Sequence, residues 1–191
     1  MGKKSVKIIC CLLVLAFAGV GLFAWPVYKD FALITNLSFE AAPQKIENAI
    51  KKGANVNARI WDVTPITAAA RFNSNPQVIT IIVKAGADVN SKGRYGYTPL
   101  MWAASFNTNP QVITALIKGG ADVNAMDNDG MTPLMWAATS NPNPEAITTL
   151  LQLGADPKAR DNQGKMAIDY ARRNPNLQNT DALRKLEEAS C

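Results

Sequence analysis

Hydrophobic and polar positions fall into two regimes along the chain. Ile8 to Val27 reads IICCLLVLAFAGVGLFAWPV, an apolar run without a charge. A helix of that length spans about 30 Å, the depth of a bilayer's hydrocarbon core. A buried core helix would not normally be apolar on every face. From about Ser38 onward the pattern changes to short apolar clusters at helical spacing, divided by Asn, Asp, Gly and Pro. Gln111-Val-Ile-Thr-Ala-Leu-Ile-Lys118 is one such cluster and predicts an amphipathic helix. The chain is thus read as one membrane-length segment followed by a series of short helices.

The second regime repeats itself. Thr64-Pro65-Ile66, Thr98-Pro99-Leu100 and Thr132-Pro133-Leu134 stand 34 residues apart, and Met166-Ala167-Ile168 continues the series. Gly96, Gly130 and Gly164 share the spacing, as do Ala87-Asp88, Ala121-Asp122 and Ala155-Asp156. Asn75-Pro76, Asn109-Pro110 and Asn143-Pro144 complete it, and TPLMWAA occurs twice. A fixed period of this size means stacked supersecondary units.

Each unit has a physical reading. Thr caps the free amides of a first helix and Pro suits its first position. Alanines along that helix let a neighbour approach closely. Asn-x-Asn-Pro makes a turn and a new N-cap. Gly119-Gly120 ends the second helix. Ala-Asp-Val-Asn and the following Asp-Gly are expected to form an extended arm and a tight turn. A helix pair cannot bury its apolar faces alone, so the units must stack.

These residues resemble the ankyrin repeat. The resemblance is carried by TPL, the alanines after it and the G-A-D-V-N segments at 86–90 and 120–124, and it covers roughly residues 38–190. It departs from the family in its period, 34 rather than the usual 33, and in Met101 and Met135 where His is frequent. These departures look like a bacterial branch. The resemblance implies an all-α solenoid of helix-turn-helix pairs joined by β-hairpin loops, here with one N-terminal transmembrane helix before it. Residues 1–27 form the anchor or signal segment, 28–37 a linker and 38–190 the array. The array starts with a partial unit. Full units begin near Ile60, Gly93, Asp127 and Asp161, and a charged helix at 181–190 closes it.

Charge sharpens the picture of the N-terminus. Lys3, Lys4, Lys7 and Lys29 account for nearly all of the formal net charge of +5, because the first 29 residues contain no acid. The lysines before the apolar run predict a cytoplasmic N-terminus, with the array beyond the membrane. Trp25 and Tyr28 would lie at the far interface. The competing reading is a cleaved signal peptide, for which Ala16-Phe17-Ala18 offers a site. Val6 breaks the myristoylation pattern, and Cys10 and Cys11 are not in a lipobox. The near-neutral array lacks the basic surface that nucleic acid requires.

Chemistry is scarce. Histidine is absent, which excludes Ser–His and Cys–His nucleophile pairs, histidine metal sites and histidine switches. Three cysteines make no disulfide framework, and Cys191 reads as a free terminal thiol. No phosphate loop or metal spacing occurs, so no enzyme activity, cofactor, metal or small-molecule substrate is expected. Asp88, Asp122 and Asp156 repeat with the fold and read as loop caps, and Arg172-Arg173 reads as solvated surface. Asn36-Leu37-Ser38 matches a glycosylation acceptor, a motif usually idle in bacteria.

The ankyrin resemblance implies binding of a protein partner through the concave side, formed by the hairpin tips and the flank of each first helix. The candidate contacts are Trp61, Arg71, Arg94, Tyr95, Tyr97, Trp102, Asn128, Asp129, Met131 and Trp136. Aromatics and Arg dominate such contacts. Trp102 and Trp136 share one repeat position with Tyr170 and are equally read as stacking along the solenoid. Phe72 and Phe106 are read as filling the longer turn. The lipid bilayer is the second expected partner, through residues 8–27.

Overall fold

The computed structural model describes residues 42–60 and 62–191. The apolar run 8–27, the linker 28–37, Asn36-Leu37-Ser38 and Trp61 lie outside the described residues. Among the described residues no helix is long and apolar enough to cross a membrane.

The described chain is a stack of short helices. They are α1 (Pro43–Lys51), α2 (Pro65–Phe72), α3 (Pro76–Lys84), α4 (Pro99–Phe106) and α5 (Pro110–Lys118). There follow α6 (Pro133–Ser140), α7 (Glu145–Gln152), α8 (Ala167–Ala171), a 3₁₀ turn at Pro175–Leu177 and α9 (Asp181–Ser190). Their starts follow from capping chemistry. The Thr64, Thr98 and Thr132 side chains accept from the backbone N–H three residues on, with Pro next in line. Asn75 and Asn109 cap α3 and α5 in the same manner, accepting from Gln77 and Gln111 at 3.0 Å. The chain leaves the outer helix α5 through Gly120, whose φ of 96° is left-handed backbone that glycine adopts without strain.

Even-numbered helices α2, α4, α6 and α8 pack side by side in one row, and α1, α3, α5, α7 and α9 form a second row behind it. The first row packs tightly because Ala68–Ala70, Ala103, Ala104, Ala137 and Ala138 are fully buried. The second row supplies the bulk, from Val78, Ile79 and Ile82 to Ile147 and Leu150. Leu186 and Ala182 of α9 close the far end.

The connections predicted as β-hairpins contain no strand among the described residues. An isolated bridge pairs Ile60 with Val63. The arms are instead Asx turns, in which Asp88, Asp122 and Asp156 accept from the backbone N–H two residues on, at 3.0, 2.9 and 2.8 Å. Side chains then do the work of a strand ladder. The amide of Asn90 donates to the Gly120 carbonyl and accepts from the Asp122 N–H, both at 2.9 Å. Asn57 and Asn124 repeat that pair of bonds one unit either way. A second asparagine series runs through the inner turns. Asn107 Nδ2 donates to the carbonyls of Ala70 and Asn73 at 2.8 and 3.0 Å, and Asn141 does the same to Ala104 and Asn107.

Candidate protein-binding surface

The turn tips are built by an acid that the repeat places before each first helix. Asp127 Oδ1 accepts from the backbone N–H groups of Asp129 and Met131, both at 2.9 Å. Its Oδ2 accepts from Trp136 Nε1 at 2.8 Å. Asp161 does the same one unit later, with the N–H groups of Gln163 and Lys165 and the Tyr170 hydroxyl. The acid therefore closes its own turn and pins a ring on the following helix. Successive tips are joined as well: Asn128 N–H donates to the Tyr95 carbonyl at 3.1 Å, and Asn162 N–H to that of Asp129 at 3.0 Å.

These bonds set the acidities. Burial alone would raise the Asp161 pKa, but the Tyr170 hydroxyl and the two backbone N–H groups outweigh it and hold the carboxyl below its ordinary range. Tyr170 is pushed up to about 12, by burial first and then by its bond to Asp161. Tyr97 is also raised, by burial first and then by the charges of Asp127 and Asp129.

Between the tips and the inner helices lies an aromatic cluster. Tyr97 meets Trp102 and Trp136 edge-on, with ring centroids 5.6 and 5.1 Å apart. Trp102 stacks on Phe106 one helical turn away, at 5.7 Å. The Arg71 guanidinium sits 4.8, 4.5 and 4.7 Å from the ring centres of Phe72, Trp102 and Phe106. Burial lowers the Arg71 pKa, yet a guanidinium stays charged throughout the working range. A pocket of about 190 Å³ opens here, lined by Tyr97, Met101, Trp102, Ser105, Phe106 and Trp136. That is below the roughly 300–1,000 Å³ of small-molecule sites and suits a single side chain.

The structure brings Arg71, Tyr95, Tyr97, Trp102 and Trp136 into one contiguous patch. Tyr95 is 62% exposed and lies 5.9 Å from Tyr97. Arg94 is exposed and pairs with Asp62 at 3.7 Å. Asn128 serves the stacking of the tips, and Asp129 is exposed beside it. Met131 is half-buried and packs on the core. Trp136 is held by Asp127 and forms a wall of the pocket. Phe106 does not fill the turn as expected: Asn107 fills it, and Phe106 stands 45% exposed under Arg71. Phe72 is equally exposed. The sequence reading used Asp127 and Asp161 only as unit starts and the Asn107–Asn141 series only as turn residues. Their signal was present in the period, but the bonds they make follow only from the turn geometry.

A two-layer stack of helix pairs joined by turn tips defines a helical-repeat solenoid. The family model for ankyrin repeats (3 copies) matches residues 38–127, 65–161 and 103–189, and the chain belongs to the ankyrin-repeat family. Comparison with curated proteins returns no match. Proteins of this family are typically non-enzymatic modules of protein–protein interaction. Among the described residues no group of three or more His, Cys, Asp or Glu side chains is placed to hold a metal ion.

Proposed function

We propose that this protein is a membrane-anchored adaptor that captures a protein partner on the face formed by the turn tips and the inner helices. The observation that carries this is the Arg–aromatic patch of exposed Tyr95 and Phe106 with half-buried Arg71 and Trp102, beside a side-chain-sized pocket. Large rings that are held in place bury much area at low entropy cost, which is what binding hot spots need. The anchor is supported by the uncharged run 8–27 and by Lys3, Lys4 and Lys7 before it, which favour a cytoplasmic N-terminus and an array outside the cytoplasm. The 34-residue period fits a bacterial branch of the family.

The test is crosslinking capture from detergent-solubilised native membranes, with the intact mass of the bait read alongside. A full-length bait should hold one dominant partner. Trp61→Ala combined with Tyr95→Ala should weaken that capture at least about tenfold, a loss of about 1.4 kcal/mol, with the thermal midpoint unchanged. Undiminished capture by the double variant would overturn the proposed face. A soluble bait beginning at Gly19 would replace the anchor by a cleaved signal, as Ala16-Phe17-Ala18 permits, and make the protein a periplasmic or secreted binder.

A further inference from the structure

The three full-length turn tips close alike, but only two of them carry an acid. Gly93 N–H donates to the Tyr97 carbonyl at 3.1 Å and Gly96 N–H to the Gly93 carbonyl at 2.9 Å. The tips at Asp127 and Asp161 close with the same two bonds, at 3.0 to 3.1 Å and 2.9 to 3.1 Å. In those two tips a pair of backbone N–H groups and a ring donor converge on one carboxylate. The equivalent donors in the first tip are the N–H groups of Tyr95 and Tyr97 and the Trp102 indole N–H. Position 93 is glycine, and none of the three donors has an acceptor among the described residues.

The place is roomy. A Cβ on Gly93 would meet nothing nearer than the Asp62 carbonyl oxygen at 3.7 Å, which is ordinary contact. Two arginines stand close enough to attract an anion. Arg94 is highly exposed at the tip and Arg71 lies over the Trp102 ring. Of the acids nearby, Asp62 is turned towards Arg59 and Arg94 at 3.8 and 3.7 Å, Asp127 is engaged by its own turn and by Trp136, and Asp129 lies exposed on the next tip.

We propose that this notch binds the carboxylate of an Asp or Glu side chain on the partner protein, which takes the place that Asp127 and Asp161 occupy in their own tips. One carboxylate oxygen accepts from the Tyr95 and Tyr97 N–H groups and the other from Trp102 Nε1, as the two oxygens of Asp127 do. Charge-assisted bonds of this kind are the stronger ones. The next apolar side chain of the partner enters the pocket between Trp102, Phe106 and Trp136. This deepens the adaptor reading and rests on it: the partner's anchor is an acidic residue beside an apolar one.

The first arm of the test needs no partner. The full chain in detergent micelles, labelled with ¹⁵N-tryptophan, gives one indole signal for each of its 4 tryptophans. Sodium acetate is the probe, with sodium chloride at equal ionic strength as the control. The Trp102 indole should move downfield and saturate, while Trp136, already bonded to Asp127, stays in place. In Gly93→Asp the Trp102 signal should start at the shifted position and ignore acetate. Asp127→Gly should make the Trp136 indole respond in turn, which keeps the test open if Gly93→Asp folds poorly. A Trp102 signal that ignores acetate, or that answers inorganic phosphate equally well, overturns the carboxylate assignment. In the second arm, Gly93→Asp should lower partner capture at least about tenfold. Acetate binding with capture unchanged by Gly93→Asp would overturn the notch as the partner's anchor and leave the adaptor reading standing. Capture insensitive to Trp61→Ala/Tyr95→Ala as well would defeat that reading instead.

Discussion

Asn107 and Asn73 hold the same repeat position and differ in what lies behind them. Both are buried. Asn107 Nδ2 serves two carbonyls of the preceding unit and its Oδ1 accepts from the Asn109 N–H at 3.0 Å. Asn73 Oδ1 accepts from Asn75 in the same way, but its Nδ2 is buried without an acceptor among the described residues. Removing one partner of a buried bond leaves the other unsatisfied and costs about 1–3 kcal/mol. Asn107→Ala should therefore lower the urea-unfolding free energy by about that amount. Asn73→Ala removes a buried donor that is already unsatisfied, so its cost should be clearly smaller. Equal losses in the two variants would show that the inter-unit bonds contribute nothing measurable. Glycine at position 93 illustrates the same principle on the surface. There a residue too small to bond leaves donors for another molecule to use.

At the scale of elements, the tip acids act as braces between a turn and the helix after it. The brace from Asp161 to Tyr170 holds α8, a helix of only 5 residues. Its bond should be visible in the pH dependence of stability. Asp161 is held below its ordinary range, so its contribution is present above about pH 3.9 and is lost as pH falls further. Tyr170 is raised to about 12, so its contribution is full below its unfolded value of about 10 and is lost as pH rises from there to about 12. Thermal melts of Tyr170→Phe should lack that alkaline part of the decline. An unchanged alkaline limb would mean that the hydroxyl does not sense Asp161.

Helix starts and the terminal helix were legible in the sequence, because capping depends on a few neighbouring residues. Thr98-Pro99 is enough to start α4 wherever the chain goes. The arms were misread for the opposite reason. Ala-Asp-Val-Asn looks extended locally, but Asp122 turns it back on itself and Asn90 of the previous unit claims its amide. That bond joins residues far apart in the chain. The candidate surface was half legible for the same cause. Tyr95 and Arg71 were chosen as candidates by type and position, whereas the contrast of Gly93 with Asp127 and Asp161 needed the carboxylate's three bonds.

On the scale of the whole molecule, the asparagine bonds that join the arms from unit to unit recur with the period. The Asn90 amide reaches Gly120, and the Asn124 amide reaches Gly154, through the same atoms. Removing residues 93–126, a 34-residue block, would bring Asp127 to the place of Gly93 and Asn141 to that of Asn107. The inter-unit asparagine bonds would be kept, while the ring contacts of Tyr97 and Phe106 would be lost. The shortened chain should therefore fold cooperatively, with fewer interfaces and a lower midpoint in urea. A deletion of half that length should not fold. If both deletions gave the same unfolded circular-dichroism spectrum, the units would not be interchangeable.

The asparagine bonds thus have a consequence beyond stability, for how such a chain changes over generations. Length becomes a heritable variable with a fixed step. One duplication or loss of a block, such as the shared TPLMWAA stretches suggest, yields a working protein at once, and each new copy is then free to diverge at its tip.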